Sequence, residues 1–247
     1  MSAYGALASS YDGLTQDVPY KEMADYIELV LRTAGRSPKT VLDLACGTGS
    51  LSVLLAERGY TVIGADCSEE MLTEAMDKSL SLTDNRPYFI CQPMQALSLP
   101  QPVGLVVCCL DSVNYLTDPA DCRETFRRVY AGLERGGVFL FDINTPEKLR
   151  SLDGQIFLDE NDDTYCVWRA AFEEGENVCY YGMDLFQRDG TVWQRSFEEH
   201  AEYAYTPGDL RDWLQEAGFT EVRVYGDRSL EPPEEGAERV YFAALKE

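Results

Sequence analysis

The chain is short of basic residues, nearly devoid of histidine and without any long apolar run. Its 247 residues include 21 Lys and Arg against 43 Asp and Glu, a formal net charge of −22. A phosphate backbone is bound through clustered cations, so this balance counts against a nucleic-acid partner. The acidity is read as a source of solubility rather than as the mark of a special partner. A single histidine, together with eight cysteines that form no C-x-x-C pair, makes zinc and iron–sulfur sites improbable, and no metal is expected. Scattered thiols without a framework suggest a reducing compartment, and adjacent Cys108 and Cys109 read as small core residues. No apolar run approaches the ~20 residues of a membrane span. The opening MSAYGALASSYDG lacks the basic start and apolar stretch of a signal peptide. A cytoplasmic, membrane-free protein is therefore expected.

What is present centres on Thr40–Ser52, TVLDLACGTGSLS. An apolar run ends in Asp43, the loop Gly47-Thr48-Gly49 follows, and SLSVLLAERG then repeats apolar residues at helical spacing. A strand, a glycine turn and a helix bring a small ligand against bare backbone at a helix N-terminus. Asp66, 23 positions beyond Asp43, ends the next apolar run and is placed to accept the hydroxyls of a ribose. A nucleoside-containing cofactor is implied. A P-loop needs Lys where Ser50 stands, which argues against nucleoside triphosphates. The spacing alone still admits a dinucleotide, since Ser52 stands in the third small position. The carboxylate of Asp43 opposes a pyrophosphate and suits a ligand with an ammonium and a sulfonium.

Several segments then carry a resemblance. VLDLACGTG resembles motif I of the class I S-adenosylmethionine-dependent methyltransferases, with Ala45 in place of the usual first glycine. VIGADCSEEML resembles the second motif, QPMQALSLP the third, LVVCCLDSVNYL the fourth-strand segment, and LERGGVFLFDIN the glycine turn and fifth strand. The resemblance implies S-adenosylmethionine as cofactor, held by Tyr11, Asp43, Ala45, Gly47, Gly49, Asp66, Cys67, Met71, Met94, Gln95 and Leu110. Asp66 would bind the ribose, with Cys67 and Met71 flanking the adenine. Pro93 replaces the usual acidic residue of the third motif, leaving the adenine amine to backbone carbonyls or to Gln95.

The implied fold is α/β and Rossmann-like. It has a mostly parallel seven-stranded sheet whose last strand is antiparallel, and an inserted antiparallel β lid. Strands are expected near 40–45, 61–66, 87–91, 103–109 and 137–143, with helices near 19–35, 50–58, 69–79 and 119–133. Residues 155–205 are aromatic and alternate in period two, which predicts antiparallel strands with a turn at Asp189-Gly190. Thr206-Pro207 opens a last helix, before strands near 219–226 and 238–245. The expected division is 1–150 with 206–247 as the cofactor domain, and 151–205 as a substrate lid. This arrangement resembles glycine N-methyltransferase-like enzymes and nucleotide-sugar N,N-dimethyltransferases, and the resemblance implies methyl transfer to nitrogen or oxygen of a small molecule.

Substrate contacts are expected from Asp111, Ser112, Asn114, Tyr115 and Asn144, which follow strands four and five. Asn114 and Asn144 could equally serve turn chemistry. His200 is the candidate proton acceptor, because imidazole titrates near neutrality, although a lone histidine is more often structural. Trp168, Tyr180, Tyr181, Trp193 and Tyr203 could form an aromatic cage or simply fill space under the sheet. The alternatives are an RNA or ribosome-associated methyltransferase, a non-catalytic S-adenosylmethionine-binding regulator, and a nicotinamide oxidoreductase.

Overall fold

The computed structural model describes residues 7–247, apart from the Ser9 side chain; the first six residues of the expected cofactor domain lie outside them. The chain begins with α1 (Ala8–Leu14) and α2 (Tyr20–Thr33). Strands and helices then alternate: β1 (Thr40–Leu44), α3 (Ser50–Glu57), β2 (Thr61–Asp66), α4 (Glu69–Ser79), β3 (Tyr88–Cys91), β4 (Val103–Cys108), α5 (Pro119–Gly132) and β5 (Leu133–Asn144). A short helix α6 (Pro146–Ser151) leads into β6 (Ile156–Glu160), β7 (Thr164–Glu173), β8 (Val178–Asp189) and β9 (Val192–Tyr203). The chain closes with α7 (Pro207–Ala217), β10 (Glu221–Gly226) and β11 (Arg239–Leu245).

The main sheet has the order β10-β11-β5-β4-β1-β2-β3. All neighbours are parallel except β11, which runs antiparallel to both β5 and β10. Strand alternation divides the core in two. Leu42, Leu44, Val106, Cys108, Phe139 and Phe141 face α5 and α7, whereas Val41, Leu105, Val107, Cys109 and Leu140 face α2 and α3. Both faces are covered, which is why these strands read as continuous apolar runs. On the α5 side, Phe141 stacks on its cross-strand partner Phe242 at 4.7 Å and Phe126 joins them at 5.5 Å. Such aromatic contacts add ~0.5–1.5 kcal/mol beyond area burial.

One boundary departs from the sequence expectation. The fifth strand begins at Leu133, directly after α5 rather than near 137. Leu133 pairs with Val103, and regular pairing resumes only at Leu105 with Val138, so Glu134–Gly137 bulge outward. Lys246 is bonded at both sides of this segment. Its ammonium donates to the Tyr130 and Leu133 carbonyls at 2.7 Å each, satisfying the end of α5. The Gly136 amide donates to the Lys246 carbonyl at 2.6 Å.

Strands β6–β9 form a separate four-stranded antiparallel meander inserted between β5 and α7. Asn114 ties it to the main sheet. This fully buried side chain donates to the carbonyls of Asn144 and Tyr203 at 3.0 and 2.9 Å, and accepts from the Asn144 amide at 3.1 Å. One amide thus joins the turn after β4, the end of β5 and the end of β9.

Candidate active site

Sheet order reverses between β1 and β4, so the loops leaving their carboxyl ends part and open a crevice. A cavity of about 320 Å3 lies there. The β1 loop lines it with Asp43, Ala45 and Gly47, β2 with Asp66 and Cys67, and α4 with Met71. The third-motif segment supplies Gln92, Pro93, Met94 and Gln95, and the turn after β4 supplies Leu110 and Ser112. Asp66 shapes the glycine loop: one carboxylate oxygen accepts the Gly47 amide and the other the Ser68 amide, each at 2.9 Å. Each oxygen keeps a further lone pair for a ligand hydroxyl. Gly47 has φ of +53°, and a side chain there would project into open space.

Asp43 is 2% exposed and accepts the Ser52 hydroxyl at 2.6 Å. Burial pushes its carboxyl up to about 7, because no cation compensates the charge and Asp66 lies near. Two carboxylates, Asp43 and Asp66, thus stand beside an apolar wall of Met71, Met94 and Leu110 in one cavity. The α1 helix bounds the crevice and is clasped by polar contacts. Asp12 accepts the Thr48 hydroxyl at 2.6 Å and pairs with Lys78, also at 2.6 Å.

A second cavity of about 400 Å3 lies between the inserted sheet, α1 and the carboxyl ends of β4 and β5. Among the described residues it shares Tyr11 and Tyr115 with the first. Its wall includes Asp111, Asn144, His200, Glu202, Trp168 and Tyr181. An ionic cluster closes one end. Arg239 reaches Asp111 at 2.6 Å and Asn144 at 3.0 Å, and it pairs with the fully buried Asp142. Asp142 also accepts the amides of Leu110 and Asp111 at 2.8 and 3.1 Å. Both of those residues have positive φ, of 59° and 51°, which costs a side-chain-bearing residue ~1–2 kcal/mol. The carboxylate holds the strained turn in place.

The sequence-predicted residues divide as follows. Ten of the eleven expected cofactor residues line the first cavity; Gly49 does not. A side chain at Gly49 would meet the Ala75 Cβ at 2.8 Å, so glycine is required there by the packing of α3 against α4. Of the expected substrate residues, Asp111, Tyr115 and Asn144 line the second cavity, Ser112 the first, and Asn114 neither. His200 lines the second cavity with its Nε2 3.2 Å from Glu198. Among the aromatics, Trp168 and Tyr181 face the cavity. Tyr203 packs on Tyr205 at 4.6 Å, and Trp193 is exposed, because alternation on β9 turns odd-numbered residues away from His200. Glu202, Asp142 and Arg239 were not anticipated. The one legible signal was Glu202, two positions from His200 and so on the same strand face.

Residues 41–137 match the model of a methyltransferase domain family. The chain is 33% identical over 246 residues to a putative methyltransferase, YqeM, of Bacillus subtilis (strain 168), covering 98% of this chain and 97% of that one. A crystal structure of an S-adenosylmethionine-dependent methyltransferase from Clostridium acetobutylicum ATCC 824 superposes with a TM-score of 0.87 at 33% identity, covering 99% of both chains. The chain belongs to the class I S-adenosylmethionine-dependent methyltransferases. A further relative, a glycine/sarcosine N-methyltransferase of Halorhodospira halochloris, is 27% identical over 232 residues, covering 87% of this chain and 78% of that one.

The cofactor of the methyltransferase is S-adenosylmethionine, which supplies an activated methyl group on sulfur. Among the described residues, no helix is long and apolar enough to cross a membrane and no cluster could hold a metal ion.

The carboxyl of Asp43 has a consequence for stability. Its folded value of about 7 lies above the ~3.9 of an unfolded Asp. Its contribution is therefore complete below pH ~4 and lost as pH rises to about 7. Glu202, pushed up to about 8, acts in the same direction. The cofactor-free methyltransferase is expected to lose melting temperature from pH 5 to 8, with a smaller loss in Asp43→Asn. Parallel melting curves for the two proteins over that range would remove the assignment.

Proposed function

We propose that the methyltransferase transfers the methyl group of S-adenosylmethionine to nitrogen or oxygen of a small molecule held in the second cavity. The observation that carries this reading is the pair of adjoining cavities that share Tyr11 and Tyr115 in their walls. Methyl transfer needs the nucleophile aligned with the S–CH3 bond and water excluded. Two half-buried tyrosines at the junction supply walls for that alignment. In this reading Asp66 accepts the ribose hydroxyls, Cys67 and Met71 flank the adenine, and Met94 and Gln95 border its edge. Gly47 and Asp43 meet the methionine portion, and Leu110 lies toward the sulfonium.

Residues 151–205 act as the substrate cover and the remaining chain as the cofactor domain. A cavity of about 400 Å3 suits a small acceptor. Its acidic wall repels a phosphate backbone. Nitrogen is favoured over oxygen by the acidic and aromatic lining, which attracts an ammonium group, and by the glycine/sarcosine N-methyltransferase match, which extends over most of the chain.

The test is calorimetric titration with S-adenosylhomocysteine and NAD, followed by methyl-transfer assays on amines, phenols, nucleotide sugars and RNA. Binding of the thioether with methylation of an amine or phenol is expected. Preferential NAD binding, or methylation of RNA alone, would overturn the reading.

A further inference from the structure

Alternation on β9 places Glu198, His200 and Glu202 on one face. Glu202 is 4% exposed and lines the second cavity. Its Oε2 accepts the Asn144 Nδ2–H at 3.0 Å, and Tyr181 lines the same cavity. The orientation of the Asn144 amide is determined, because its oxygen takes an Arg239 N–H at 3.0 Å and its NH2 must then point to Glu202.

Arg239 offsets the Glu202 charge only in part and forms no ion pair with it. Its guanidinium is taken up by Asp111 and Asp142, so the cluster holds three carboxylates against one cation. Elsewhere around the cavity, Lys148 is paired with Glu238 at 2.9 Å, Asp159 accepts the Trp168 indole N–H at 2.8 Å, and His200 is shared with Glu198. Glu202 is thus a buried carboxylate, oriented by the neutral Asn144 amide, that lines the second cavity and forms no ion pair among the described residues. Such a group is completed by a proton or by a cationic ligand.

We propose that Glu202 is the catalytic residue that takes the proton from the acceptor nitrogen, the acceptor being an amine that enters the second cavity as an ammonium ion. This rests on the proposed methyl transfer to a small molecule and specifies its acceptor and its base. The ammonium N–H bond breaks, its proton goes to a Glu202 oxygen and its electron pair stays on nitrogen. That pair forms the N–CH3 bond as the S–CH3 bond breaks, with the latter's electrons remaining on sulfur. Glu202 returns the proton to water as products leave.

Burial, with the like charge of Asp111, raises the Glu202 carboxyl to about 8, against the lowering effect of Asn144 and Arg239. A base at that value holds a proton ~10³-fold or more tightly than an ordinary Glu near 4.3, and lies within a few units of an alkylammonium near ~10.

The experiment compares the wild type with Glu202→Gln and Glu202→Asp in methyl transfer from S-adenosylmethionine to benzylamine, cyclohexylamine and glucosamine over pH 6.5–10. S-adenosylhomocysteine formation is the readout, and binding of that thioether is measured in parallel. Glu202→Gln is expected to bind the thioether within about threefold of wild type while losing ~10²-fold in kcat at pH 7.5. The loss should shrink to within about tenfold at pH 10, where about half of an alkylamine near ~10 is already neutral in solution. Glu202→Asp retains a carboxylate and should recover part of the rate with a shifted rising limb.

A Glu202→Gln enzyme within about threefold of wild type, or equally impaired at every pH, would overturn the role. Should the Gln variant fail to fold, Glu202→Asp decides, and an unmoved limb would count against the proposal. A wild type that binds the thioether yet methylates none of the amines at any pH would instead overturn the acceptor reading, and the role of Glu202 with it.

Discussion

Gly47→Val is expected to weaken S-adenosylhomocysteine binding by at least ~100-fold while leaving a folded protein. Two effects act together. The φ of +53° at Gly47 is in the left-handed region, where a β-branched residue is strained by ~1–2 kcal/mol. Gly47 lines the first cavity, and beyond its chain neighbours nothing lies within 4 Å of the Cβ position, so the new side chain is expected to take up cavity space. The loop amide that Asp66 accepts at 2.9 Å would be retained only at the cost of that strain. Gly49→Val makes the contrasting control. Its Cβ would meet Ala75 at 2.8 Å, so it should lower the melting temperature by disturbing α3 against α4. Calorimetry and thermal melts on both variants separate binding from packing. A Gly47→Val protein that binds the thioether normally would place the cofactor elsewhere.

Asn114→Ala is expected to cost ~3–5 kcal/mol of stability in urea unfolding. The side chain makes three hydrogen bonds inside the protein, and its removal leaves the Asn144 amide and the carbonyls of Asn144 and Tyr203 without that partner. Each buried polar group left unsatisfied costs ~1–3 kcal/mol, and the vacated volume adds a smaller cavity term. The effect should reach the second cavity, because Tyr203 adjoins Glu202 and Asn144 orients its carboxylate. A loss below ~1 kcal/mol would show that the joint between the inserted sheet and the core can rearrange to satisfy those groups.

Asn114 and Asn144 illustrate how a site is only partly legible in a sequence. Both stand at strand ends, where asparagine serves ligands or turns equally well by local rules. The structure makes Asn114 a joint and Asn144 a link between Arg239 and Glu202. Similarly, Gly47 and Gly49 belong to one tight loop and look equivalent in the chain. Only the neighbour on α4 separates them, with one glycine facing ligand space and the other facing Ala75.

The sequence by itself determined the strand, glycine turn and helix around Asp43, the alternation that builds a parallel sheet, and the period-two pattern of the inserted strands. These features depend on residues a few positions apart, where side-chain periodicity and turn chemistry act directly. The tertiary structure alone decided that two cavities meet at Tyr11 and Tyr115. It also decided that Asp111, Asp142, Arg239 and Glu202 form one cluster, with Asp111 and Arg239 separated by 128 positions. Charge pairing over such separations follows the order of strands in the sheet. That order arises from the packing of both sheet faces and leaves no periodic trace in the chain.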